Sequence, residues 1–237
     1  MVSKDFEKLY DDWRKIGEEE PCWGVCTNEL FLPNNIDDNI EKFYAKGRKD
    51  VQTLRKIARK VDFSFEGKRV LDFGCGVGRL TFAMAPYAAS VVGVDISEGQ
   101  LKEARKNCTY GNVDFIQSSD DLTKLDMDIF DGIISLLTLQ HNRPPLIRRI
   151  LEQLLQLLKP GGHAFLQIHT DVPNRDFEEI LEAMEMHYLP GAEVEKIGSE
   201  NDCILKAAIP RGKRESITSF IFVFCRNGEN SVLLSKG

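Results

Sequence analysis

Hydrophobic and polar positions change period along this chain, and the change divides it. From about Asp62 onward, apolar runs of strand length alternate with stretches of helical periodicity, the pattern of βαβ units on a parallel sheet. Strands are predicted at Arg69 to Phe73, Ser90 to Val94, Val113 to Gln117, Phe130 to Leu136 and His163 to Ile168. Helices at Leu80 to Tyr87, Glu98 to Asn107 and Pro144 to Leu158 fill the gaps. The last of these starts beside prolines and stops at Lys159-Pro160-Gly161-Gly162, a cation, a helix breaker and two flexible residues in terminal order. Further on the rhythm breaks. A helix is predicted near Asp176 to Tyr188, a strand near Val194 to Ile197, and a strongly apolar final strand at Phe220 to Cys225. Between the two strands, Ser199 to Thr218 is poorly patterned; its Arg211, Lys213 and Arg214 read as a solvated loop, with contact to an anionic acceptor as the alternative.

The first 60 residues form a different unit, acidic at the start, with aromatic residues and cysteines clustered around Trp13, Trp23 and Phe31 and a helical pattern from about Asp37 to Val61. The expected organisation is therefore a helical cap over residues 1–61 and an α/β core over 62–237. A length of 237 residues and an apolar content of 42% suit one such domain with a modest extension. The net charge of −6 argues against a nucleic-acid partner. No run of about 18 apolar residues is present, so no membrane span is expected. The first 20 residues are too charged for a secretory signal, which points to the cytoplasm. The six cysteines are scattered and read as free thiols. Cys22 and Cys26 lack a second pair of ligands, so no metal is expected there.

The densest chemistry lies in Val70-Leu71-Asp72-Phe73-Gly74-Cys75-Gly76-Val77-Gly78-Arg79-Leu80, where an apolar strand runs into a glycine-spaced turn and then a helix. Glycines there let the backbone turn at positive φ and bring its N–H groups within reach of a ligand. A dinucleotide site needs G-x-G-x-x-G. Here the third glycine comes one residue early, Arg79 takes the dinucleotide position, and Asp72 would repel a pyrophosphate. A cationic ligand fits better. Downstream, Val91-Val92-Gly93-Val94-Asp95-Ile96-Ser97 ends a second apolar strand in a carboxylate at the distance that ribose recognition uses. The competing role for Asp95 is to cap the helix opening at Ser97-Glu98.

Asp72 followed by Gly-x-Gly-x-Gly, with Asp95 after the next strand, resembles the class I S-adenosylmethionine (SAM) dependent methyltransferases, in particular the small-molecule and glycan-directed type 11/12-like group. The resemblance implies a Rossmann-like, doubly wound, mostly parallel seven-stranded sheet whose last strand is antiparallel. It implies cofactor contacts at Asp72, Gly74, Cys75, Gly76, Gly78, Asp95 and Ile96, then at Ser119 and Asp120 for the adenine, and at Leu136. Capping of a short helix is the other reading of Asp120. It places Phe43, Tyr44 and Gly47 in a lid over the cofactor, although ordinary helix packing accounts for the same aromatics.

Two histidines follow the fourth and fifth strands, His141 in Ser135-Leu136-Leu137-Thr138-Leu139-Gln140-His141 and His169 in His169-Thr170-Asp171. Each is a candidate general base, since imidazole titrates near neutrality. His141 could equally fix its loop, and nothing separates His169 from a strand-end histidine facing solvent. By comparison with the family, the Asn/Asp-Pro-Pro-aromatic segment of base-directed enzymes and the paired glutamates of arginine-directed ones are absent. The expected activity is methyl transfer from SAM to oxygen or nitrogen of a small metabolite or saccharide. A non-catalytic SAM-binding module, a protein-borne acceptor and a dinucleotide oxidoreductase are the rivals. Composition does not fix an oligomeric state.

Overall fold

A computed structural model describes residues 4–118, 122, 125, 129–171, 185–214 and 217–228. Its elements in order are α1 (Lys4–Glu19), α2 (Pro21–Val25), α3 (Ile36–Lys60), β1 (Arg69–Phe73), α4 (Arg79–Met84), β2 (Ser90–Asp95), α5 (Glu98–Asn107) and β3 (Val113–Gln117), then β4 (Phe130–Ser135), α6 (Pro144–Gln156), β5 (Leu158–Asp171), α7 (Gly191–Glu200), β6 (Cys203–Arg214) and β7 (Ile217–Arg226). Seven strands follow the order β3-β2-β1-β4-β5-β7-β6. The described residues divide into two compact units, one of residues 4–118 and one of those from 122 to 228.

In the first unit β1, β2 and β3 run parallel, with Asp72 level with Gly93 and Asp95 level with Gln117. Strands buried on both faces read as continuous apolar runs, which is why β1 and β2 were legible as such. Burial follows the pattern: every residue of β1 after Arg69 is buried. Helix α3 turns a stripe inward at Asn39, Phe43, Gly47, Val51, Leu54 and Ile57, a helical spacing throughout. Phe43 packs edge-on against Phe31 in a cluster with Cys22 and Val77.

Gly47 is where α3 meets the start of α4. A Cβ built there would stand 2.2 Å from the Arg79 carbonyl oxygen, a backbone atom that cannot swing away. In an isolated helix alanine outranks glycine by about 1 kcal/mol. Here overpacking reverses the sign, and Gly47→Ala is expected to destabilise by about 1–3 kcal/mol. That corresponds to a fall in Tm of several degrees for a chain of this size. A thermal melt with Tm unchanged or raised would contradict this close approach.

In the second unit β4 and β5 are parallel, β5 and β7 antiparallel, and β7 and β6 antiparallel. The strand Phe220 to Cys225 is antiparallel as expected. Two expectations fail. Residues Val194 to Ile197 are not a strand but the centre of α7, where Val194, Ile197 and Gly198 are buried at i, i+3 and i+4 and the charged residues between them face out. Four residues are too few to separate period 2 from period 3.6. The stretch read as a loop from Ser199 holds β6, an edge strand with Ile204 exposed. Its pairing with β7 is made by backbone groups, and these leave no hydrophobic alternation in the sequence. The expected strand from His163 also begins earlier, so Lys159 to Gly162, read as the stop of the preceding helix, lie within β5. The helix predicted near Asp176 to Tyr188 falls largely outside the described residues.

Candidate functional site

The turn after β1 uses positive φ at all three glycines, 72° at Gly74, 55° at Gly76 and 82° at Gly78. L-residues with a side chain rarely hold that conformation. The expected use of its N–H groups is corrected by the structure. Gly74 N and Cys75 N both donate to the Val94 carbonyl, at 2.8 and 3.1 Å, and Gly78 N donates to the Cys75 carbonyl at 3.0 Å. Gly76 N donates to Asp95 Oδ2 at 2.8 Å. Four amides of the turn are therefore engaged within the fold, a poor arrangement for cradling a pyrophosphate, which depends on such donors.

Two buried carboxylates flank the turn. Asp72, fully buried on β1, accepts a hydrogen bond from Thr81 Oγ1 to its Oδ2 at 2.6 Å, while its Oδ1 has no partner among the described residues. Burial pushes its pKa up to about 6, opposed by the Thr81 hydrogen bond and the Arg79 charge. Asp95 accepts from Gly76 N through Oδ2 and from Ser97 N through Oδ1, the latter at 2.9 Å. Burial raises its pKa, and those backbone bonds oppose the rise. The helix cap proposed for Asp95 is instead supplied by Ser97, whose side chain accepts from Gln100 N. Asp95 thus holds two strand-end loops together, and each of its oxygens keeps a further lone pair.

The N-terminal helices lie directly on this turn. A Cβ at Gly76 would meet Val25 Cγ2 at 2.3 Å, and one at Gly17 would meet Ser97 Oγ at 2.0 Å. Gln100 Nε2 donates to the Pro21 carbonyl at 3.2 Å. Small residues on α1 and α2 let their backbones approach the first turn of α5 this closely. Of the residues expected in a lid, Phe43 and Gly47 serve the packing of α3.

The second unit carries its own polar cluster at the carboxyl ends of β4 and β5. Leu136 is buried and followed by Leu137 at φ 63°, an uncommon conformation for a non-glycine residue. Leu137 N donates to Gln167 Oε1 at 3.2 Å, and Gln167 Nε2 donates to Ser219 Oγ at 2.9 Å. His141 ends a 3-10 turn, its Nε2 3.4 Å from Gln140 Nε2, and the Gln140 carbonyl accepts from His187 N at 2.7 Å. His169 does not face solvent as a strand-end residue would: it is 6% exposed, and burial holds its pKa below the usual histidine range. Its Nδ1 has no hydrogen-bond partner among the described residues.

Residues 70–162 match the family model described as a methyltransferase domain. Over that stretch, which holds the glycine turn, Asp72 and Asp95, the chain is similar to a methyltransferase domain. Among curated relatives, a ubiquinone biosynthesis O-methyltransferase of Coxiella burnetii is 33% identical over 120 residues, covering 50% of this chain and 49% of that protein. One from Vibrio atlanticus is 34% identical over 134 residues, covering 55% and 54%. The chain spans about half the length of these relatives. Among solved structures, magnesium protoporphyrin IX methyltransferase from Synechocystis PCC 6803 with bound SAM covers 95% of this chain and 99% of its own at 21% identity, with a TM-score of 0.68. The PH0226 protein from Pyrococcus horikoshii covers 76% and 91% at 22% identity, with a TM-score of 0.60. At these identities the likeness is one of fold.

Asp72, Gly74, Cys75, Gly76, Gly78, Asp95 and Ile96 share one strand-end cluster in the first unit, while Leu136, His141 and His169 lie in the second. Ser119 and Asp120, expected at the adenine, lie outside the described residues. Thr81 was missed by sequence reasoning. It sits nine residues after Asp72, one turn into the helix that follows the glycines, and only that spacing could have signalled it. Asp50, which binds Arg79 Nη1 through Oδ2 at 2.6 Å from 29 residues away, left no signal in the sequence.

Proposed function

We propose that the protein transfers a methyl group from SAM to an oxygen of a small molecule. The observation that carries this reading is Asp72, a fully buried carboxylate with one oxygen unpartnered beneath a glycine turn. A buried acceptor without a donor asks for a ligand that brings positive charge or N–H groups, and SAM brings both. The engaged amides of the turn weigh against a phosphate ligand, and the fold shared with a SAM-bound enzyme supports the same cofactor.

The residues present fit the group. Asp72 would face its cationic end, Asp95 would accept from the two ribose hydroxyls, and Gly76 and Gly78 would give it room. When bound, it would supply an electrophilic methyl on a good leaving group. The chain's own work is positioning and, for a hydroxyl acceptor, removal of a proton. His169 and His141 are the candidate bases, His169 within the last residues of β5 opposite Ser219 and His141 beyond the carboxyl end of β4, the edge where open α/β sheets place their ligands. His169 is favoured because burial keeps its imidazole neutral at pH 7 and so able to accept a proton. Relatives named for O-methylation favour oxygen over nitrogen. Turnover is tested with SAM carrying a labelled methyl and parallel panels of small phenols, saccharides and amines. Label on a phenol or sugar hydroxyl supports the reading, and label on amines alone overturns it.

Asp72 also sets a pH dependence. Its carboxylate is half ionised at about pH 6 in the free protein, and only the anion attracts a sulfonium. SAM affinity is therefore expected to be constant at neutral pH and to fall as pH drops through about 6, approaching tenfold per unit. Asp95, also shifted upward, adds in the same direction. Asp72→Asn should bind SAM more weakly at pH 7.5 and lose most of the pH dependence. A profile equally steep in that variant would assign the titration to another group.

A further inference from the structure

Leu137 is the one apolar side chain, among the described residues, on a left-handed backbone, at φ 63°. The other non-glycine residues with positive φ are Asp62 and Asp202, a type whose short polar side chain tolerates that region. A bulky residue persists there only where its surroundings fix it, and such positions cluster at functional sites. We propose that Gln167 fixes it and is thereby a positioning residue for methyl transfer, holding the turn after β4 in register with the strand that carries His169. This role rests on the methyl-transfer reading above.

Gln167 interrupts the apolar run Ala164-Phe165-Leu166-Gln167-Ile168 on a strand that has neighbours on both sides, and the residue level with it on β7 is Ile221. An apolar residue is the default at such a place. Gln167 is 4% exposed, and a buried amide costs stability unless it is bonded. Here both ends are used, the oxygen on Leu137 N and the nitrogen on the buried Ser219 hydroxyl oxygen. Leu137 lies beyond the end of β4, where the sheet no longer supplies an acceptor for its amide. Ser219 is level with His169 across β5 and β7, and Gln167 stands two residues before His169 on the same face. One side chain therefore ties together the turn after β4, the end of β5 and β7.

The turn leads straight to the other candidate base. Thr138 Oγ1 donates to the Leu136 carbonyl at 3.3 Å, and Asn142 Nδ2 donates to the Thr138 carbonyl at 3.1 Å. The course of the chain at Leu137 thus sets where Leu139 to His141 lie. An L-residue is disfavoured in the left-handed region by about fivefold to thirtyfold, so loss of the bond that fixes Leu137 should depopulate the turn by a factor of that order.

Gln167→Met, an apolar replacement of similar length, tests the role, with Leu137→Gly as the relieving change because glycine holds positive φ unaided. Turnover is followed with labelled SAM and the acceptor that the wild type methylates, well below each melting temperature, beside calorimetry with S-adenosylhomocysteine. Gln167→Met should lower kcat by about fivefold to thirtyfold while acceptor KM and S-adenosylhomocysteine affinity stay within about threefold. Adding Leu137→Gly should restore kcat to within about threefold of the wild type. Ser219→Ala, a milder change that removes the anchor on β7, should lower kcat in the same direction. In the free protein, φ at Leu137 measured by NMR should be positive in the wild type and negative in Gln167→Met. A lowered melting temperature with kcat unchanged in both variants would make Gln167 merely structural and overturn the proposal. A loss of kcat that Leu137→Gly does not restore, or a positive φ at Leu137 in Gln167→Met, would overturn it too. A wild type that methylates nothing overturns the underlying reading, whereas a wild type that turns over with these variants unaffected overturns only the role of Gln167.

Discussion

Replacing His169 with alanine is expected to lower turnover by about 10²–10⁴-fold while leaving the affinity for S-adenosylhomocysteine unchanged. The magnitude is that of a positioned general base. A hydroxyl acceptor must lose its proton as the new bond forms, and a group that is neutral at working pH must receive it. His169 meets the requirement because burial disfavours its charged form, and its backbone is tied down where its carbonyl accepts from Leu189 N at 3.0 Å. The pH profile of kcat gives an independent readout. Activity should fall only as pH drops below the ordinary histidine range, since the imidazole pKa is lowered, and the His169→Ala variant should lose that limb. Full activity in His169→Ala, with the loss appearing instead in His141→Ala, would move the base to His141. That histidine sits in a 3-10 turn bound through Gln140 and Asn142, where a purely positional role is the alternative.

Asp95→Ala is expected to weaken SAM binding by about 10–100-fold, the equivalent of one or two charge-assisted bonds to ribose. The variant should also be less stable, because Gly76 N and Ser97 N would both lose their acceptor. An unsatisfied buried donor costs about 1–3 kcal/mol. Asp95→Asn separates the two effects. It keeps an oxygen for one of the backbone donors and should recover part of the melting temperature, while its lost charge leaves affinity low. Wild-type affinity in both variants, measured on folded protein, would remove the ribose assignment.

What could be read from the sequence was set by how locally each feature is determined. Strands β1 and β3 and helix α5 have the predicted bounds, because an apolar run or an amphipathic period between turn residues is a local signal. The glycine turn and Asp95 were legible for the same reason, since a left-handed backbone needs glycine and a strand-end carboxylate follows at a fixed interval. Helix α7 and strand β6 were not. The apolar residues of α7 are few and fit either period, and β6 is held at an edge by backbone pairing that no side-chain pattern records. The partnerships of Asp72 with Thr81 and of Arg79 with Asp50 depend on how helices pack. The burial of His169 and the bonds of Gln167 to Leu137 and Ser219 are likewise properties of the folded interior, invisible to spacing along a chain.

The central claim is that the turn flanked by Asp72 and Asp95 is a SAM site. Calorimetric titration of the purified chain with S-adenosylhomocysteine and, separately, with NAD tests it most directly. Saturable one-to-one binding of S-adenosylhomocysteine, weakened in Asp95→Ala, with no measurable response to NAD, is the predicted result. Measurable NAD affinity with no response to S-adenosylhomocysteine would contradict it.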